Sequence, residues 1–357
     1  MNKLTKIIGL LIAIAFLVGL ATTLTRSMMI GFLDVMPVYI LMGVAIFMMI
    51  YEAFFDKKKL VLIKKNNSFS FFLLFIQPVF MTSNIAIARG ALDNIPPIAL
   101  ASSRWFLVFL VFLPFVYSTL IKKKKFIKKE FFKLLFLGFT GYAICGAFPY
   151  ISGLTTTVTN MSIIYALSPI FIVALSSYIY GERLRIVQYF GIFMSLFGVT
   201  YIVFKGKLDN LINLIFSFGD LWILFAAISW ALFSVFLINW KSKFDILERF
   251  TLMSFFGSII LLPFYGVEHF FFIPTTFNST YFYFIIIAAI FPGVLAFLMY
   301  TKLQQVLGAS IAGLTVYLMP IYGAIYGFIL FNEILSSFHL YGALLILFGI
   351  YLANKKR

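Results

Sequence analysis

The chain has 357 residues, 63% of them hydrophobic and 11% charged, with a net charge of +16 and a mean hydropathy of +1.06. A soluble protein carries roughly a quarter of its residues charged, so lipid must solvate most of this chain. Its Lys and Arg residues sit in short clusters between apolar runs rather than on one solvated face, which argues against nucleic acid as a partner and for membrane topology.

A bilayer core of about 30 Å is crossed by about 20 helical residues. The apolar runs here are long and do not alternate in polarity, so they read as helices rather than barrel strands. Twelve spans are predicted in chain order, at 7–25, 29–51, 68–91, 97–120, 134–152, 157–180, 186–204, 220–240, 250–267, 280–301, 308–331 and 335–354. The first run, with Lys3 and Lys6 ahead of it, also fits a signal peptide. An uncleaved hairpin is the preferred reading because a second apolar run follows at once. Residues 134–181 hold no charged side chain and are divided at Gly153 to Thr157, since one helix of that length would overshoot the bilayer. The lone cysteine, Cys145, lies in this run, which leaves no disulfide framework or cysteine metal cluster to consider.

Orientation follows from the basic residues. A cytoplasmic N-terminus places Lys57–Lys59, Lys64, Lys65, the run Lys122–Lys125 with Lys128, Lys129 and Lys133, then Arg183, Arg185, Lys241, Lys243, Arg249, Lys302 and Lys355–Arg357 on the inner side. Outer loops receive Arg26, Lys205 and Lys207. By the positive-inside rule both termini are then cytoplasmic. The Lys122–Lys133 cluster reads as a topology marker, with attraction of anionic lipid as the alternative.

The sequence also repeats itself. In the segments beginning at Leu167 and Leu318, at a constant offset of 151, Pro169 recurs as Pro320, Glu182 as Glu333, Gly191 as Gly342 and Gly198 as Gly349. Matching prolines, glutamates and glycines in one ungapped register are not a product of apolar composition. The repeating unit spans five helices, an odd number, so its second copy enters the membrane from the opposite face. The predicted architecture is an all-α polytopic membrane protein of two inverted five-helix repeats, a plan used by many secondary transporters. Its divisions are an N-terminal hairpin and basic loop at 1–66 and repeats at 67–206 and 207–357.

The segments GERLRIVQYFGIFMSLFG and NEILSSFHLYGALLILFG resemble the signature ends of the EamA-type units of the drug/metabolite transporter superfamily. TSNIAIAR at Thr82–Arg89 and ALASSRWFLVFL at Ala99–Leu110 are similar to the first two helices of such a unit, and GDLWILFAAISWALFSV at Gly219–Val235 is similar to the start of a second. The resemblance covers about 68–357. It implies ten helices around a central substrate cavity, moving small metabolites such as amino acids. Met81 stands where the first-helix motif often carries Trp, and the 1–55 hairpin has no counterpart in the ten-helix plan.

Ionisable groups inside a span are functional candidates because burying them in hydrocarbon is costly. Arg104 lies seven residues into its helix, or about 10 Å from the outer face, and Asn84 on the preceding helix reaches a similar level. Together they are candidates to hold a substrate carboxylate or phosphate. The competing reading has Arg104 snorkelling outward or tying the carbonyls of a broken helix. Pro169 and Pro320 each remove a helix hydrogen bond at matching places, marking helix breaks beside a site or plain packing kinks. Tyr165, Trp230 and Tyr317 are candidates to line the cavity, or are packing residues. Glu182 and Glu333 sit at helix ends and are expected to cap helices; no other Asp or Glu is expected inside the ten repeat helices. No catalytic residue, metal site or cofactor is implied, so an enzyme is not expected. An intramembrane lipid-active enzyme or a sensor remains the alternative. The expected partners are a small-molecule metabolite and the lipid bilayer, the expected location is a bacterial inner membrane, and the sequence leaves a homodimer open.

Overall fold

The computed structural model describes residues 67–180, 185–207, 209–210, 217–307 and 313–353. The predicted hairpin at 1–66 and Glu182 lie outside these residues. The chain divides into Met1–Phe71 and Phe72–Arg357, and the second unit is described below.

Every regular element among the described residues is helical. Helix α1 (Asn67–Gly90) is followed by α2 (Pro97–Lys122) and α3 (Lys124–Gly153). Two shorter helices, α4 (Val158–Tyr165) and α5 (Ser168–Tyr180), precede α6 (Ile186–Val203). The chain continues through α7 (Phe218–Asn239), α8 (Ile246–Phe272) and α9 (Ser279–Leu303). A 3₁₀ turn at Gly313–Leu318 leads into α10 (Met319–Phe331), and α11 (Ser337–Ala353) ends the described chain. Among the described residues, six helical stretches are long and apolar enough to cross a membrane: α2, α3, the joined α4–α5, α7, α8 and α9. Large apolar side chains such as Phe132, Phe190, Phe264 and Phe348 face outward. A soluble protein rarely exposes so much apolar surface, and lipid is the solvent that suits it. The protein is a multi-pass membrane protein.

The lysine run expected as a loop is helical instead. Lys123 alone separates α2 from α3, because lysine is a good helix former and the first turns of α3 can extend into water. Carboxylates at the helix ends also depart from expectation. Asp220, Glu248 and Glu268 lie within α7 and α8, and all three are buried. Each is buried with donors. Glu268 accepts from the Ile98 and Ala99 amides at the start of α2, at 3.0 and 2.8 Å. Glu248 completes a capping box with Asp245 and pairs with Lys123. Such ends are favourable places for negative charge.

Elements recur at the offset found in the sequence. The bounds of α5 and α10 stand 151 residues apart at both ends, as do two π turns, Gly138–Ile144 within α3 and Ala289–Leu295 within α9. The close packing of α6 on α11 follows the same rule. A Cβ on Gly198 would come 2.9 Å from the Gly342 carbonyl, and a Cβ on Gly349 would crowd the Gly191 carbonyl. Adding 151 to Gly198 gives Gly349, and subtracting it from Gly342 gives Gly191, so the two contacts exchange. Ser195 Oγ donates to the carbonyl of Ile346, its own partner at that offset, at 3.1 Å. Small residues here let two backbones approach to a distance that larger ones forbid.

Candidate functional site

Arg104 sits on the third turn of α2, buried, with its guanidinium turned into the bundle. Its Nη1 donates to Asn84 Oδ1 from α1 and to the Tyr150 hydroxyl from α3, the latter at 2.7 Å. The guanidinium carbon lies 4.6 Å from the centroid of the Trp105 ring and 4.9 Å from that of Tyr150. Its protein partners are thus neutral, and aromatic faces supply the rest of its solvation through cation–π attraction. Arg104 and Asn84, placed at one level by residue counting, do meet. Tyr150 was not foreseen. It is one of 19 tyrosines in a strongly aromatic chain, and only its depth, six residues past the π turn of α3, could have singled it out.

These residues open onto a small cavity. From α1 come Met81, Asn84 and Ile85, and from α3 Cys145 and Pro149. Tyr165 reaches it from the last turn of α4, Trp230 from the middle of α7, and Met319 from the first residue of α10. Pro292 and Phe297 complete it from α9. The space enclosed, about 20 Å³, admits a water molecule and little more.

Local geometry brings these side chains inward. Pro169 is the second residue of α5, after the turn that separates α5 from α4, and Pro320 is the second residue of α10, after the 3₁₀ turn. Proline suits a first helical turn because its missing N–H would be unpaired there anyway. The breaks leave Tyr165 and Met319 at chain ends that point into the bundle. The side chain of Tyr317 lies outside the described residues; its backbone belongs to the 3₁₀ turn. The two π turns act similarly on α3 and α9, with Cys145 directly after the first and Pro292 inside the second. Such turns re-aim the side chains that follow them. Phe297 lies between the two large indoles, 5.1 Å from Trp105 and 5.4 Å from Trp230 by ring centroids. The Nε1 atoms of both indoles and Nε of Arg104 are buried without hydrogen-bond partners among the described residues.

A second polar cluster lies at the end of the bundle where α3 passes to α4. Glu333, just beyond α10, accepts from the amides of Val158 and Thr159 at 2.7 and 3.0 Å and from Thr159 Oγ1 at 2.6 Å. It caps α4, far away in sequence, rather than the helix that follows it. Asp220 accepts from Thr156 Oγ1 and from Asn160 Nδ2. His339 Nδ1 accepts from the Ser336 amide at 3.1 Å, which leaves Nε2 to donate to Asn160 Oδ1.

Two separate stretches, 68–204 and 217–355, match the EamA-like transporter family. An uncharacterized transporter of Archaeoglobus fulgidus is 29% identical over 296 residues, covering 82% of this chain and 99% of the relative. The uncharacterized transporter YoaV of Bacillus subtilis is 26% identical over 276 residues, covering 74% of this chain and 89% of its own. A solved crystal structure aligns with a TM-score of 0.51 at 16% identity, over 80% of this chain and 96% of that one, a likeness of fold alone. The cavity draws its lining from both matched stretches, and the chain belongs to the EamA-like transporter family.

Proposed function

We propose that the protein carries small organic metabolites, amino acids among the candidates, across a bacterial inner membrane by alternating access about the Arg104 cavity. One observation carries this reading. The cavity lies between two copies of one family unit, with Arg104, Asn84 and Tyr165 from the first and Trp230, Phe297 and Met319 from the second. In this proposal 67–206 and 207–357 are inverted five-helix repeats, 1–66 is an appended hairpin, and Pro169 and Pro320 break helices beside the site. The exchange of glycine contacts between α6 and α11 supports a two-fold axis passing between Ser195 and Ile346. Rocking of one unit against the other opens the cavity to each side in turn, and the occluded space of about 20 Å³ suits a state between the two.

The lone cysteine supplies the test, because Cys145 lines the cavity. A membrane-impermeant methanethiosulfonate should modify Cys145 slowly from either face, in right-side-out and in inverted vesicles. Modification from one face alone would sink alternating access about this cavity.

Orientation is tested separately, with Cys145 replaced by Ala. Cysteines at Lys125 and Thr276, both exposed, should be labelled only from the cytoplasm and only from outside, respectively. Both termini then lie in the cytoplasm. Labelling of the two from one side contradicts the inverted arrangement.

A further inference from the structure

We propose that the molecule received by this cavity bears a carboxylate, and that Arg104 and Trp230 bind it. This rests on the cavity being the substrate site. The cavity is rich in donors and poor in acceptors. Arg104 Nε and Trp230 Nε1 are fully buried and have no hydrogen-bond partner among the described residues, and Trp105 Nε1, packed beside Phe297, is in the same state. Away from water an unpaired N–H is expensive, and two of these belong to residues that line one small space, Arg104 and Trp230. Two acceptors nearby are already used, since Asn84 Oδ1 and the Tyr150 hydroxyl both receive Arg104 Nη1.

Charge narrows the ligand further. Among the described residues no Asp or Glu lines the cavity. The carboxylates packed elsewhere in the bundle are committed: Glu268 to α2, half-buried Glu333 to α4, Asp220 to Thr156 and Asn160, Glu248 to Lys123, and Glu130 to the Ser242 hydroxyl and the Lys243 amide. The guanidinium therefore has no fixed counter-ion among the described residues, and an arriving anion supplies one. A carboxylate matches in number, bringing one charge for one arginine and two oxygens to share between guanidinium and indole. A phosphate would bring a second charge, and among the described residues no lysine lines the cavity to meet it. The remaining walls, Met81, Met319, Phe297 and Pro292, are apolar and suit a hydrocarbon or flat body; flexible methionines adapt to its shape.

Protection of Cys145 reports binding. The probe is the small-molecule extract of cells that make the protein, and the readout is the rate of N-ethylmaleimide addition to Cys145 in the purified full-length chain. A ligand present at about twice its Kd slows the reaction about threefold. Protection should survive phosphatase treatment of the extract. It should vanish when the extract's carboxylates are converted to amides with a carbodiimide and methylamine, and persist with methylamine alone. Trp230→Phe, which keeps a ring and removes the donor, should weaken it, and Arg104→Gln should abolish it. Protection that survives amidation, is lost to phosphatase, or never occurs overturns the carboxylate assignment. Each of those results leaves the two-sided reactivity of Cys145, and so alternating access, as a separate matter.

Discussion

Replacing Arg104 with Gln should stop transport while leaving the protein folded and at least as stable to heat. The solute to follow is the one whose cellular distribution changes when the protein is present. A buried guanidinium held by neutral partners is a burden on folding, because desolvation of its charge is not offset by a carboxylate. Gln removes that charge and retains polar atoms for Asn84 and Tyr150, so the melting temperature should hold or rise. Losing the charge that meets the ligand corresponds to roughly 2–5 kcal/mol, a fall in transport of about thirtyfold to several thousandfold. Arg104→Lys keeps the charge and loses the planar fork, and an intermediate rate is expected. The opposite pattern, with protein amount and melting temperature falling in step with transport, would make Arg104 a scaffold residue.

The second large effect concerns the seam between α4 and α10. Gly323 has no room for a side chain, since a Cβ there would overlap Ser162, whose hydroxyl donates to the Val158 carbonyl at 2.8 Å. One turn on, Gly327 makes way for Thr159 and Glu333. Gly323→Leu would force the two helices apart and withdraw Glu333 from the amides it caps. The combined overpacking and cap loss amount to roughly 3 kcal/mol or more, enough to abolish a monodisperse peak in detergent gel filtration. Gly323→Ala alone should be milder and should recover when paired with Ser162→Gly, because the second change empties the volume that the first one fills. Absence of that recovery would show that the seam is not set by this contact.

How much of this was legible in the sequence depended on whether a signal is local. The pairing of Arg104 with Asn84 followed from counting residues along two neighbouring helices, and the chain breaks at α5 and α10 from two prolines in one register. Tyr165 was named from its place four residues before Pro169 and Trp230 from its mid-depth, and both reach the cavity. Pro292 and Phe297 were not found, since their counterparts at the repeat offset, Gly141 and Gly146, share no side-chain chemistry with them. The π turns leave no mark that apolar periodicity can read, because a single extra residue is invisible in a run without polar punctuation. The buried carboxylates were missed for another reason. Counting treats a helix end as wet, whereas Glu268 and Asp220 are dried by neighbouring helices and kept by the donors those helices present. The partner of Glu333 could not be inferred at all, since α4 lies 175 residues away.

The matched π turns carry a record of descent. Each holds one residue more than an α-helical path would need, and the two stand at the same place in the two family units, Gly138–Ile144 and Ala289–Leu295. An insertion found at one homologous point in both halves is most simply inherited from a single ancestor, so it predates the duplication that produced this chain. The ancestral family unit would then already have had this helix rotated by about 100° beyond that point. If the two units are inverted as proposed, two such subunits would have turned that rotated face toward each other, and the interior that holds Cys145 and Phe297 would descend from the contact surface of a dimer.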